Sequence, residues 1–326
     1  MQRPSKILVT GANGFIGRSL MRRFRDQGVA VCGVDLVADK AWNVVAGNVA
    51  SAGSWQSQAQ GCELVIHTAA VVSNSAPAEL YRNVSVGSVR HVIQAAIKAD
   101  APRVVHLSSI AAYGLDFRDE RVETDTISLL SGYPYCDAKA ASEHAALAAH
   151  AAGEVACTII RPGDVYGPGS RPWVLIPLSM MRKNQFFLPA HGKGVFSPVY
   201  IDNLLDGIEA AALSSAGAGQ IYNITDGTQP TCREFFAHHW HWLGRKGTPP
   251  LLPTRLASGV VALGAWLLND VLKQNTEIST GSLAMLKRQA GYSIAKAQLQ
   301  LGYQPKVDLS RGMAMTESWL RSEKMI

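Results

Sequence analysis

The stretch KILVTGANGFIG, residues 6–17, gives the first indication of the fold class of this chain. It begins as a short apolar run typical of a β-strand, and Gly11, Gly14 and Gly17 then lead into a periodic helical stretch. Gly11 would allow a tight turn, Gly14 would let the backbone approach a pyrophosphate, and Gly17 would let helix and strand pack closely. An ordinary glycine turn between a strand and a helix contains the same residues, so this pattern alone leaves both interpretations open.

The next strand ends in an acidic residue. Val29 to Asp35 is a second apolar run, and a carboxylate at its end can accept both hydroxyls of an adenosine ribose and repel a 2′-phosphate. A surface aspartate at a turn would occupy the same place. Taken with the glycine turn, Asp35 predicts NAD rather than NADP, and the turn adds Asn13, Phe15 and Ile16 to the predicted cofactor site.

Strand and helix signals continue to alternate through the first half of the chain. Apolar strand runs cover 64–69, 104–108 and 156–161, and helical patterns cover 80–99 and 135–152. Strands that are apolar on both faces indicate a parallel sheet covered by helices on each side. We therefore predict an α/β fold: a Rossmann-type doubly wound parallel sheet with a smaller, mostly helical C-terminal lobe. The dinucleotide-binding domain is placed at 1–165, with returns to the sheet near 195–225, and the substrate lobe mainly at 166–326.

A tyrosine and a lysine one helical turn apart supply candidate chemistry. Tyr135 and Lys139 fall on one face of the predicted helix. A nearby ammonium and an oxidised nicotinamide would bring the tyrosine pKa from about 10 toward the working range. Ser108 and Ser109 close a strand at the ligand end of the sheet. Each signal also has a structural interpretation, as a surface helix pair or a helix cap, so their joint occurrence carries the hypothesis.

Composition excludes several classes of protein. The chain has 326 residues, 47% hydrophobic and 17% charged, which is typical of a globular rather than a disordered protein. Lys and Arg number 31 against 25 Asp and Glu, but they form no stripe, so no nucleic-acid partner is predicted. The five cysteines are well separated and no signal-peptide pattern precedes the first strand, which together predict a cytoplasmic protein.

In this order the motifs resemble those of the extended short-chain dehydrogenase/reductases, and the resemblance covers nearly the whole chain. The matching stretches are TGANGFIG (10–17), LVIHTAA (64–70), YRNVSVGSVRHVIQAA (81–96), VVHLSSIAAYG (104–114), YPYCDAKAASE (133–143), IIRPGDVYGPG (159–169) and VYIDNLLDGI (199–208). The resemblance implies Ser109 as the catalytic serine, Tyr135 as the acid/base and Lys139 as its lysine, with Asn83 supporting the cofactor end.

Further site residues follow from the same resemblance. It implies cofactor contacts from Asn48, Val49, Ala69, Ala70, Ser108, Pro162 and Val165, beside Tyr135 and Lys139, and substrate contacts from Val71, Ser109 and Tyr166. Asn48 departs from the family pattern, which usually has Asp beside the adenine. An amide can still hydrogen-bond the adenine amino group, so the departure weakens that contact only mildly.

The run Arg161 to Asp164 bears on the substrate. Nucleotide-sugar enzymes of this family usually have Asn at the position of Asp164, and we expect a carboxylate there to repel a sugar nucleotide's pyrophosphate. The pattern from Arg161 to Gly169, and the C-terminal run 292–320, are instead similar to the 3β-hydroxysteroid dehydrogenase branch.

Residues 256–269 form the longest uncharged apolar stretch. As a helix it would reach about 21 Å against the roughly 30 Å of a bilayer core, so it cannot span a membrane. Its stripe at helical spacing is Leu256, Val260, Leu263, Leu267 and Val271, widened by Val261, Trp266 and Leu268. It is interpreted either as a core helix of the lobe or as an apolar lid or membrane-surface helix.

The resulting hypothesis is an NAD-dependent oxidoreductase acting on a CH–OH group of a small hydrophobic, steroid-like or other alicyclic or long-chain substrate. The alternatives are a nucleotide-sugar epimerase or reductase of the same superfamily, and a non-catalytic NAD-sensing or scaffold protein. No metal site is predicted, because His238, His239 and His241 have no further ligand spacing and are expected to be exposed. The resemblance implies a homodimer, and the apolar stretch suggests peripheral membrane contact.

Overall fold

The structure is a computed structural model that describes residues 3–72, 76–127, 130–265 and 280–326, with the backbone alone for 262–265 and 280. Within these residues seven strands form one parallel sheet in the order β3-β2-β1-β4-β5-β6-β9. The strands are β1 (Lys6–Thr10), β2 (Ala30–Asp35), β3 (Val44–Ala46), β4 (Leu64–His67), β5 (Arg103–Leu107), β6 (Ala156–Pro162), β7 (Asp164–Tyr166), β8 (Pro198–Tyr200) and β9 (Ile221–Ile224). β7 and β8 form a separate two-stranded parallel sheet.

Helices connect these strands and build the lobe. The α-helices of the described residues are α1 (Phe15–Asp26), α2 (Ala78–Leu80), α3 (Ser88–Lys98), α4 (Pro134–Ala151), α5 (Ile176–Arg182), α6 (Ile201–Leu213), α7 (Cys232–Trp242), α8 (Thr254–Ala265), α9 (Thr280–Met285), α10 (Ala295–Leu301) and α11 (Leu309–Ser322). Two π-helical turns are inserted among them: Tyr81–Gly87 joins α2 to α3, and Arg171–Leu175 precedes α5.

The two faces of the main sheet are buried in different cores. On one face, alternate strand residues such as Ile7 and Val9 pack with α1 and α6. On the other, Leu8 and the intervening residues pack with α3 and α4. This alternation explains why the strands read as continuous apolar runs, and the prediction of a doubly wound parallel sheet is confirmed.

The region 195–225, predicted to return to the sheet, contributes two short strands. Only Pro198–Tyr200 forms β8. The backbone N–H groups of Val195 and Phe196 instead donate to the carbonyls of Arg288 and Pro230, each at 2.8 Å. These acceptors lie in loops rather than in a neighbouring strand, so no ladder extends to them. β9, further along the chain, returns to the main sheet beside β6.

All five cysteines are free and buried. Cys32 on β2 and Cys62 before β4 are neighbours, with 3.8 Å between their sulfur atoms. Both therefore pack as small apolar side chains in the core.

Candidate active site

The glycine turn lies at the carboxyl end of β1, between β2 and β4. Gly11 has φ +70°, and a Cβ there would lie 2.8 Å from the backbone nitrogen of Ala69. A Cβ on Gly17 would lie 2.0 Å from the carbonyl oxygen of Gly11. Gly14 is exposed and caps the N-terminus of α1. The turn thus presents bare backbone at a helix N-terminus, an arrangement that fits the pyrophosphate of a dinucleotide.

Asp35 is fixed beside this turn at the end of β2. Its Oδ2 accepts the backbone N–H of Asn13 at 2.9 Å, and its Oδ1 accepts that of Leu36 at 2.7 Å. These two bonds leave further lone pairs on the carboxylate for ribose hydroxyls. Asn48, after β3, is exposed and turns its Oδ1 to the N–H of Ala50 at 3.0 Å.

The other predicted cofactor residues surround the same edge of the sheet. Val49 and Pro162 are buried, while Phe15, Ile16, Ala69, Ala70 and Val165 are half-buried, as is Val71 among the predicted substrate contacts. The geometry therefore brings the glycine turn and the ends of β4 and β6 to one edge, where an NAD molecule could lie across them.

Tyr135, Ser109 and Lys139 meet where β5 ends beside α4. Burial raises the pKa of Tyr135 to about 12, and the hydroxyl of Ser109 near the phenol acts in the opposite direction. The Lys139 ammonium donates to the carbonyl of Leu107 at 2.9 Å, and burial lowers its pKa to about 8. Without cofactor, the tyrosine is therefore a protonated phenol at neutral pH.

A buried carboxylate lies one helical turn beyond Lys139. Glu143 accepts Arg161 through two bonds, Nε to Oε1 at 2.9 Å and Nη2 to Oε2 at 2.6 Å, and also accepts the hydroxyl of Ser108. We call Glu143 with Arg161 the catalytic-side pair. Its negative charge raises the pKa of Lys139 against the effect of burial. The Arg161 guanidinium carbon also lies 4.4 Å from the ring centre of Tyr113.

Two buried histidines lie beneath this group. His67 contacts the hydroxyls of Thr10 at 2.7 Å and Ser88 at 2.9 Å, and His106 contacts that of Ser142 at 2.8 Å. Burial, and then the charge of Lys139, lower the pKa of His67 to about 3. Both rings are therefore neutral, and they stack at 5.3 Å between centroids.

The π-helical turn supplies residues that the sequence did not identify. Tyr81 is buried and its ring lies edge-on to that of Tyr135, with 6.4 Å between centroids. Ser85 is buried and accepts the backbone N–H of Val71 at 3.2 Å. Asn83, predicted to support the cofactor, is on the exposed side of this turn. Because a π-helix contains an extra residue per turn, spacing alone did not indicate that Ser85 faces inward.

Asp164 is paired, contrary to the expectation of a free carboxylate. It is 4% exposed and forms an ion pair with Arg288, which is 2% exposed. Its Oδ2 also accepts the backbone N–H of Ser197 at 3.2 Å. We call Asp164 with Arg288 the lobe-side pair. Because Arg288 neutralises the carboxylate, the predicted repulsion of a pyrophosphate loses its basis.

Tyr166 lies in the core rather than on the pocket wall. It is fully buried, with its ring edge-on to those of Tyr200 and Phe235 at 5.4 and 5.5 Å. A Cβ on Gly312 would lie 2.2 Å from its hydroxyl. No face of this side chain is open to a substrate.

An apolar cluster packs against Tyr135. The tyrosine packs with Leu115, Cys136, Ala284 and Met285. Ala284 and Met285 belong to α9, so the lobe contributes part of the apolar surface beside Tyr135.

The apolar stretch of the lobe begins as α8. Leu256 is 60% exposed and Val260 51% exposed, whereas Ala257 and Val261 are buried against Leu283. The buried edge of α8 is therefore not the predicted stripe, which leaves Leu256 and Val260 outside the core. The side chain of Leu263 and the residues Trp266, Leu267, Leu268 and Val271 lie outside the described part of the chain. No helix within that part is long and apolar enough to cross a membrane.

The histidines of α7 do not all face solvent, as they were expected to do. His239 is fully buried, and its Nε2 contacts the carbonyl of Trp173 at 2.8 Å. Its neighbours on that side are aromatic rings, including Trp242 at 4.5 Å between centroids. Over the described ranges no three or more His, Cys, Asp or Glu side chains are grouped to hold a metal ion.

Known proteins resemble this chain in sequence and in fold. The sequence model of the NAD-dependent epimerase/dehydratase family matches residues 7–225. A 4-hydroxy-2-methyl-3-oxo-4-farnesyl-3,4-dihydroquinoline-1-oxide ketoreductase of Stigmatella aurantiaca is 24% identical, covering 94% of each chain. A decarboxylating sterol-4-alpha-carboxylate 3-dehydrogenase of Candida albicans is 23% identical, over 80% of this chain and 77% of that protein.

Solved structures share the fold. The dTDP-glucose 4,6-dehydratase of Streptomyces venezuelae, solved with NAD bound, superposes with a TM-score of 0.79 at 23% identity, covering 98% of each chain. The Rossmann-type fold and the resemblance to extended short-chain dehydrogenase/reductases are confirmed.

Proposed function

The chain belongs to the NAD-dependent epimerase/dehydratase family, and on that premise we propose that it interconverts a secondary alcohol and a ketone on a hydrophobic substrate. A steroid-like, other alicyclic or long-chain compound fits best. The observation that carries the proposal is the packing of Tyr135 against the apolar side chains of Leu115, Ala284 and Met285.

The side chains have separate roles in this reaction. Ser109 holds the substrate oxygen, and Tyr135 takes the hydroxyl proton during oxidation or returns it during reduction. Lys139 stays protonated with the help of Glu143, and its charge favours the tyrosine phenolate. Bound NAD supplies the hydride acceptor. The apolar wall excludes water from the reacting carbon.

Two relatives support the substrate class. One is named as a ketoreductase of a farnesylated ring and another as a sterol dehydrogenase. Both names describe ketone or alcohol chemistry on lipophilic molecules.

Tyr135→Phe tests the proposal directly. We expect turnover to fall by about 10²–10⁴-fold, because the phenol moves the proton, while NADH binding measured by fluorescence titration stays unchanged. Tyr222→Phe, on β9, removes a phenol that donates to Gln300 and is absent from the apolar cluster around Tyr135, so it is the matched control. Full activity of the Tyr135 variant on every active substrate would exclude this chemistry.

A nucleotide-sugar epimerase or reductase is the second candidate. The ion pair of Asp164 with Arg288 favours it, because a carboxylate that is already paired does not repel a pyrophosphate. A panel of hydroxysteroids, alicyclic alcohols and sugar nucleotides separates the two, with NAD reduction and saturable binding as readouts. Binding of NAD with no turnover of any class would favour a sensing or scaffold role.

We also propose that α8 contacts a membrane surface or a lipophilic substrate through Leu256 and Val260. Co-sedimentation with phosphatidylcholine vesicles should weaken in the Leu256→Ser/Val260→Ser variant. Leu299→Ser removes another exposed leucine, which is 87% exposed on α10, and should leave sedimentation unchanged. Equal effects of both variants would exclude a role specific to α8.

We also propose that the chain forms a homodimer through the helices that include Tyr135. Sedimentation equilibrium of the intact chain tests it, and a monomer at micromolar concentration would contradict it.

A further inference from the structure

A chain of polar contacts continues from Asp35 around the predicted adenosine end of the site. The backbone N–H of Asn13 donates to Asp35, and the side-chain oxygen of Asn13 accepts Nη2 of Arg18 at 2.6 Å. The same Nη2 donates to Oδ2 of Asp39 at 2.7 Å. One asparagine therefore separates the ribose-binding carboxylate from an arginine that is already paired.

Asp39 is held in place by the backbone. Its N–H donates to the carbonyl of Val44 at 3.0 Å, and the N–H of Val44 donates back at 2.9 Å. The intervening loop is fixed by the side-chain amide of Asn13, which donates to the carbonyl of Val37 at 2.7 Å. The Asp39 carboxylate thus has a defined position opposite Arg18.

Arg18 retains an unused donor. Its Nη1 is buried and has no hydrogen-bond partner among the described residues. The guanidinium carbon of Arg18 lies 4.7 Å from the ring centre of Trp42, and that of Arg25 lies 3.6 Å from the same ring centre. Arg18 is therefore a positioned cation that Asn13 links to Asp35 and that the carboxylate of Asp39 neutralises.

We propose that Asp39 is a second determinant of the preference for NAD over NADP, acting by neutralising the Arg18 guanidinium that a 2′-phosphate would otherwise bind. A 2′-phosphate adds a charge near −2 and needs a cation with free donors. Here it would meet two carboxylates, Asp35 and Asp39, and one arginine already paired. This inference rests on the dinucleotide cofactor of the proposed function and is independent of the proposed substrate.

Binding measurements without substrate test the inference. Asp39→Asn should raise NADPH affinity by about five-fold to ten-fold and change NADH affinity by less than about two-fold, because only the 2′-phosphate contacts the released arginine. Fluorescence titration with NADH and NADPH gives both constants, and urea unfolding checks that the variant is folded.

Two control variants make the result specific. In an Arg18→Met background, Asp39→Asn should give no gain for NADPH. Asp100→Asn removes an exposed carboxylate beyond α3 and should also give none. An unchanged NADPH to NADH ratio in Asp39→Asn would overturn the proposal, as would the same gain in the Arg18→Met background. Failure of the parent chain to bind NADH would overturn the cofactor premise as well, whereas loss of turnover alone would concern only the proposed function.

Discussion

The catalytic-side pair and the lobe-side pair start close together on the chain but stabilise different regions of the molecule. Arg161 on β6 reaches Glu143 within the main sheet domain, where Ser108 and Tyr113 complete its contacts. Asp164 on β7 reaches Arg288 in the lobe. The first pair anchors α4, the helix that contains Lys139, to β6. The second pair joins β7 to the segment that follows α9.

The two buried carboxylates, Glu143 and Asp164, act on different side chains. In the catalytic-side pair the carboxylate also acts on Lys139, whose pKa it raises. In the lobe-side pair the arginine stabilises the buried charge of Asp164, and that carboxylate raises the pKa of Tyr135. Burial opposes the charged form of Asp164 and raises its pKa, and Arg288 counteracts that effect. The carboxylate of one pair therefore supports the ammonium of Lys139, and the arginine of the other supports a buried carboxylate.

Breaking the lobe-side pair should have the largest effect. Arg288→Met leaves Asp164 buried without a cation, and we expect a loss of about 3–5 kcal/mol in the free energy of unfolding. The double variant Asp164→Asn/Arg288→Met removes both charges and should recover most of the loss. Urea unfolding measures each, and an equally destabilised double variant would show that the pair's geometry rather than its charge matters.

Acid should lower the free energy of unfolding, because His67 is buried in its neutral form. His67 has a pKa of about 3 in the fold and about 6.5 when unfolded, so its stabilisation is complete above pH 6.5 and is lost as pH falls toward 3. His106 shifts in the same direction. Between pH 7 and 4.5 we expect His67 alone to account for about 2–3 kcal/mol of lost stability. His67→Gln should flatten this dependence and the exposed His144→Gln should not, by urea unfolding at both pH values.

Removing the carboxylate of the catalytic-side pair should shift the pH profile of turnover. Glu143→Gln takes away the charge that raises the pKa of Lys139, so the alkaline limb, near pH 8 in the parent, should move down by about one pH unit. The Asp164→Asn/Arg288→Met variant should leave that limb in place. A common shift in both variants would mean that the two pairs act on the site through stability alone.

The local sequence predicted the surroundings of the catalytic-side pair better than those of the lobe-side pair. The glycine turn, the strand-end serines and the Tyr135–Lys139 spacing were visible because each lies within a few residues of its neighbours. Glu143 follows Lys139 at the same helical spacing, so its proximity could have been found in YPYCDAKAASE. The contact of Arg288 with Asp164 could not have been found in this way, because 124 residues separate them in the sequence and only the tertiary fold brings them together. The same holds for Tyr81 and Ser85, whose direction depends on a π-turn that no spacing rule indicated.

The place of β9 in the sheet has a consequence for how the protein is made. β6 pairs with β5 on one side and with β9 on the other, and β9 is synthesised only after β7, α5, β8 and α6. On the ribosome β6 therefore has an open edge until Ile224 has emerged, and an unpaired edge can pair with another nascent chain. The yield of folded protein should thus depend on the rate of translation between residues 162 and 221.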